Sequence, residues 1–212
     1  MQVDIFSDVI CPWCFLGRRR FERARSQLPF GDDIEVRWRA FQLDPGAPTE
    51  PGDLRAAIER KYGAGSFDAM TARLGALGAD EGIAYRFDIA QRVNTRKAHE
   101  LLAWAASVGL DVQDRLSEQL FTAYFEHGAN VADPTTLCKA AVDAGLDEKR
   151  AADVLATGEF ATEVDADIRR ATELSITGVP AFVVGGAVLI PGAQEVETMV
   201  TLLTRAHERI TT

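Results

Sequence analysis

The chain has 212 residues, 47 % of them hydrophobic and 26 % charged, with a formal net charge of −9. That is the composition of an ordinary globular protein of one large or two small domains, and its negative balance argues against binding nucleic acid through phosphate neutralisation. No apolar run reaches the roughly 20 residues needed to span a bilayer, and three cysteines do not make a disulfide framework.

The first expected element is an apolar strand over residues 3–6. The chain enters it at once, with no basic segment and apolar stretch ahead of it, so no signal peptide is expected and the cytoplasm is the expected location. Directly after it comes Cys11-Pro12-Trp13-Cys14, at the start of a stretch that reads as a helix. Two cysteines three apart on the first turn of a helix share a face, with Cα atoms roughly 5–6 Å apart, inside the window for a disulfide. Unpaired N–H groups and the positive end of the helix dipole favour an anion there, so a thiol loses its proton more easily. Pro12 suits the first helical position, where no N–H partner is needed. The chemistry this implies is reversible thiol–disulfide exchange, with Cys11 as the exposed attacking thiolate and Cys14 as the resolving thiol.

Two other readings of the pair are weaker. A structural zinc site needs four ligands in spaced pairs. The remaining candidates, Cys138, His99, His127 and His207, form no second close pair, so no metal is expected. A purely structural disulfide closing so short a loop removes little unfolded-state entropy.

The helix is expected to continue to Leu28, where Pro29 and Gly31 stop it. Arg18, Arg19 and Arg20 read as a solvated face rather than an anion site. A strand follows over residues 34–41, in which Ile34, Val36, Trp38 and Ala40 alternate with Glu35, Arg37 and Arg39. Trp38 therefore reads as core. After a Pro- and Gly-rich loop, the pattern predicts helices near 53–62, 66–78, 95–108, 112–127, 134–144, 148–157 and 159–174. Asp133 and Asp147 are expected as caps. Residues 1–48 with 175–212 thus form one expected domain, and 49–174 an inserted helical one. The end returns to strand: 181–184, a turn at Gly185-Gly186, and 187–190 read as a hairpin, with a closing amphipathic helix over 194–209. Among lesser candidates, Cys138 reads as a buried inert thiol, and His99 as a structural hydrogen-bonding group. Asp4 and Asp8 read as acids flanking the first strand, Phe15 as core and Trp13 as partly exposed.

Val179-Pro180 precedes the hairpin. Proline there fits a strand start, and most X-Pro bonds in folded proteins are trans. The order of elements adds more. Strand, Cys-pair helix, strand, helices, Pro-led hairpin and final helix resembles the thioredoxin fold. The segments Asp4-Ile5-Phe6-Ser7-Asp8-Val9-Ile10-Cys11-Pro12-Trp13-Cys14, Asn94-Thr95 with Ala98-His99, and Thr177-Gly178-Val179-Pro180-Ala181-Phe182 resemble the DsbA-like branch. The resemblance is closest to its FrnE-type cytoplasmic members and the related 2-hydroxychromene-2-carboxylate isomerases. It covers essentially the whole chain. It implies an α/β thioredoxin fold with a large all-helical insertion between the second strand and the C-terminal hairpin. It further implies a cis Val179–Pro180 bond facing the sulfurs, Cys11 and Cys14 as catalytic residues, and Pro12, Trp13, Val179 and Pro180 as substrate-binding residues. The isomerases carry Ser at the first Cys position and use glutathione, which leaves a glutathione-dependent isomerase or transferase as the alternative. With both sulfurs present, a dithiol–disulfide oxidoreductase is the expected activity. It requires no cofactor, although glutathione is compatible, and its partner is a protein or small-molecule thiol or disulfide. A monomer or homodimer, without nucleic acid or membrane, is expected.

Overall fold

The computed structural model describes residues 1–211. Its centre is a four-stranded sheet of β1 (Gln2–Ser7), β2 (Glu35–Ala40), β3 (Ala181–Val184) and β4 (Val188–Pro191), in the order β2-β1-β3-β4. β1 and β2 are parallel, with Ile5 opposite Trp38. A parallel pair needs a crossover, and helix α1 (Pro12–Arg25) supplies it. β3 runs antiparallel to β1, and β4 to β3. The hairpin turn holds Gly185 at φ 57° and Gly186 at φ 71°, backbone that glycine adopts without penalty.

Between β2 and β3 lie the seven helices that the sequence periodicity predicts: α2 (Leu54–Tyr62), α3 (Ser66–Asp80), α4 (Arg96–Val108), α5 (Leu110–Phe125), α6 (Pro134–Asp143), α7 (Glu148–Thr157) and α8 (Ala161–Glu173). Asp133 and Asp147 cap α6 and α7 by accepting from the backbone N–H of Thr136 and Arg150. The last helix, α9 (Val196–Thr211), packs against α1. The architecture is an α/β thioredoxin fold carrying an all-helical insertion.

The insertion seals the outer edge of the sheet. The Gln113 side chain on α5 accepts from the Trp38 N–H at 3.0 Å and donates to the Trp38 carbonyl at 2.8 Å, while Asp167 on α8 accepts from the Ala40 N–H at 3.0 Å. Side chains thereby take the place of a fifth strand and remove an open edge from solvent. Phe15 of α1 stacks on Phe121 of α5, ring centroids 5.1 Å apart, and Trp38 is buried at 5 % exposure.

Two expectations about α1 are corrected. The helix stops at Arg25, three residues before Leu28. There the chain turns back on itself so tightly that a Cβ on Gly31 would lie 2.1 Å from the Arg25 carbonyl oxygen, and Arg25 Nε donates to the Gly31 carbonyl. The three arginines are not a solvated face. Arg18 and Arg20 are buried at 5 % and 4 % exposure. Arg18 pairs with Glu22, Asp114 and Glu118, and Arg20 with Glu81 and Glu195. Charge periodicity within one helix cannot reveal this, because most of the paired acids come from distant segments that fold over α1.

Candidate functional site

The site forms where β1 ends and α1 begins. Asp8 closes a turn by accepting the Cys11 N–H at its backbone carbonyl, 2.9 Å away. Cys11 then stands at the N-cap of α1 with extended backbone, φ −90° and ψ 111°, and Pro12 opens the helix. No acidic side chain lies in the first turn. Cys14 follows one turn in. Both cysteines are free thiols.

The Val179–Pro180 peptide is cis, and its loop reaches the pair. Cys11 Sγ lies 3.6 Å from the Val179 carbonyl oxygen. Gly17 allows this approach: a Cβ there would sit 2.9 Å from Pro180 Cγ. The Pro180 carbonyl in turn accepts from the Gly192 N–H, and Arg20 holds the next residue through the Ala193 carbonyl. The buried arginine of α1 therefore helps fix the loop against which the cysteines lie.

Cys14 is fully buried and Cys11 is 3 % exposed. The expectation of an exposed Cys11 is thus corrected. The Val179 carbonyl comes down on its sulfur, Trp13 and Tyr85 pack against the same apolar cluster, and the Tyr85 hydroxyl from the insertion donates to the Pro12 carbonyl. Burial, then the neighbouring Cys11 sulfur, pushes the Cys14 thiol well above its ordinary value of 9.0, against smaller opposing contacts from Ser7 and the Asp8 backbone. Burial, followed by the nearby Cys11 and Cys14, also raises the Tyr85 phenol. Cys14 consequently keeps its proton until something removes it.

Asp8 lies beneath the turn with no exposure, and His99 at 2 %. Asp8 Oδ2 accepts from the Leu43 N–H at 2.7 Å, and Oδ1 lies 3.3 Å from His99 Nε2. His99 is therefore a hydrogen-bonding group, as its sequence context suggests. It ties the cysteine turn to α4. Asp4 pairs instead with Arg39. Phe15 is core and Trp13 partly exposed, as expected. Cys138 is half-buried rather than buried, because its side of α6 faces outward, and burial and nearby acids raise its thiol.

Sequence reasoning missed Gly17, Tyr85 and Arg73, whose guanidinium carbon stands 5.5 Å from the centre of the Trp13 ring. Only Gly17 left a signal, since a glycine inside a helix costs roughly 1 kcal/mol and implies a close neighbour. Two cavities lie on the β2 side, lined by residues such as Arg39, Ala103 and Asp167. Neither touches a cysteine.

The family model of the DSBA-like thioredoxin domain matches residues 2–204. A structure described as a probable DsbA oxidoreductase from Streptomyces coelicolor is 37 % identical, covering 98 % of this chain and 90 % of its own, with a TM-score of 0.92. The cytosolic disulfide reductase DsbM from Pseudomonas aeruginosa is 17 % identical, covering 99 % of this chain and 100 % of its own, with a TM-score of 0.70. A 2-hydroxychromene-2-carboxylate isomerase is also 17 % identical, covering 100 % of this chain and 96 % of its own, with a TM-score of 0.69. The last two show likeness of fold alone. The chain belongs to the DSBA-like thioredoxin domain family.

Proposed function

We propose that this protein is a dithiol–disulfide oxidoreductase working through Cys11 and Cys14. The observation that carries the reading is the pair of free thiols on the first turn of α1, with Cys11 Sγ held 3.6 Å from the Val179 carbonyl. Nothing but redox chemistry requires both sulfurs at that place.

In the reducing direction, the Cys11 thiolate attacks one sulfur of a substrate disulfide. A Cys11–substrate mixed disulfide forms and one substrate thiolate leaves. Cys14 then loses its proton and attacks the Cys11 sulfur, releasing the second substrate thiolate and closing the Cys11–Cys14 disulfide. The substrate gains two electrons and the protein dithiol loses two. Oxidation of a substrate dithiol is the same path reversed. Val179 offers backbone polar groups to an extended substrate, with Pro180, Pro12 and Trp13 flanking the reacting sulfur. Attack requires Cys11, now 3 % exposed, to be uncovered, and the Val179 contact at its sulfur is one that must loosen. The raised thiol of Cys14 favours the protonated form, so that sulfur waits as a thiol while Cys11 reacts.

The substrate is a protein or small-molecule disulfide, glutathione serves as a compatible small-thiol partner, and the cytoplasm is the fitting compartment. The test is activity in insulin reduction or in refolding of a reduced protein. Cys11→Ser should reduce turnover to the uncatalysed background. Equal activity of that variant and wild type ends the reading.

A further inference from the structure

We infer that Arg73 is a specificity-determining residue that selects disulfides carrying a carboxylate close to the sulfur. The inference rests on the oxidoreductase reading above and names its substrate class.

Trp13 lies between the two cysteines in sequence and is partly exposed. It is an exposed-side residue of the motif itself, two positions from Cys11. Arg73, on α3 of the insertion, places its guanidinium carbon 5.5 Å from the centre of that ring. A guanidinium over an indole face is held by cation–π attraction, and its N–H groups stay available at the edge. The side chain is exposed, and Arg73 makes no ion pair among the described residues. Most arginines of this chain pair with acids, Arg18, Arg19 and Arg20 of α1 among them. The positions three and four residues from Arg73 on its helix are Ala69, Met70, Ala76 and Leu77, so no neighbour on that face neutralises it.

Several other arginines also make no ion pair among the described residues, and Arg73 differs from them in lying against Trp13 on a chain with a net charge of −9. The overall field repels anions and attracts cations. Beside Trp13 the guanidinium of Arg73 supplies one positive charge. A planar fork of N–H donors matches a carboxylate in both charge and shape. The arrangement favours a disulfide with an acid group a few bonds from the reacting sulfur.

The test uses three matched small disulfides: 3,3′-dithiodipropionate, bearing carboxylates; hydroxyethyl disulfide, neutral; and cystamine, bearing ammonium groups. Each oxidises the fully reduced protein, and the second-order rate is followed by loss of free thiol in wild type, Arg73→Gln and Arg73→Lys. Comparing each disulfide across the proteins cancels its intrinsic reactivity. An exposed charge pair is worth up to about 1 kcal/mol, or roughly five-fold. The ratio of the dithiodipropionate rate to the hydroxyethyl disulfide rate should therefore fall roughly three-fold in Arg73→Gln. The cystamine ratio should rise, and Arg73→Lys should keep most of the wild-type pattern. Raising the salt to about 1 M, where the screening length is about 3 Å, should shrink the wild-type preference. Identical ratios in wild type and Arg73→Gln would overturn the inference and leave the oxidoreductase reading standing. Failure of all three disulfides to oxidise the wild-type protein would instead remove the underlying reading, and the inference with it.

Discussion

Replacing Cys14 with alanine should convert the protein into a trap that holds its substrate through Cys11. The exchange needs a second thiol to cut the mixed disulfide, and among the described residues Cys138 is the only other one. Cys138 sits on α6 within the insertion, away from the turn that carries Cys11, and does not replace Cys14. In Cys14→Ala, one substrate or glutathione molecule should remain attached per chain after mixing with disulfide, seen as a mass increase that dithiothreitol removes. Turnover should stop after that first attachment. Truncating a buried thiol to alanine leaves only a small void, so the fold should survive with a modest loss of stability. Full turnover by Cys14→Ala, with no retained adduct, would show that Cys14 does not resolve the intermediate.

The second large effect is on stability. Asp8→Ala should destabilise the protein by about 3 kcal/mol, read as a lower midpoint in urea unfolding of the reduced form. Asp8 has no exposure, and its carboxyl satisfies two groups, the Leu43 N–H and the His99 ring. Each buried polar group left without a partner costs about 1–3 kcal/mol. Asp8→Asn keeps the size and one oxygen acceptor and should lose about half as much. The site should respond too. The carboxyl anchors the turn whose backbone carbonyl holds the Cys11 N–H, so loosening it should change the reactivity of Cys11 toward a neutral disulfide. A change under 0.5 kcal/mol in Asp8→Ala would contradict the packing described here.

Most of the fold is legible in the sequence because its signals are local. Alternation fixes the β2 face that buries Trp38, and periodic apolar stripes with Asp caps and Gly stops mark the insertion helices. Gly185-Gly186 marks the hairpin. The site is legible in part. The Cys-Pro-Trp-Cys turn follows from spacing, and Val179-Pro180 follows from the order of elements and the family resemblance. What escapes local reading depends on distant segments meeting. Arg18 and Arg20 look like a surface stripe until Glu81, Asp114, Glu118 and Glu195 fold onto them. Cys11 looks exposed at a helix start until the loop 168 residues later lowers the Val179 carbonyl onto it. Tyr85 and Arg73 are undistinguished in sequence and matter only because the insertion leans over the first turn of α1.

The central claim is that Cys11 and Cys14 open and close a bond with each other. The most direct measurement is a redox titration of the protein in glutathione buffers, with thiols alkylated and counted by mass at each ratio. The account predicts that Cys11 and Cys14 pass together between two alkylated thiols and one internal disulfide. That transition should have a two-electron slope, about 30 mV for each tenfold change, with Cys138 alkylated throughout. Persistence of both thiols in the most oxidising buffer, or glutathione fixed on Cys11 while Cys14 stays a free thiol, would contradict it.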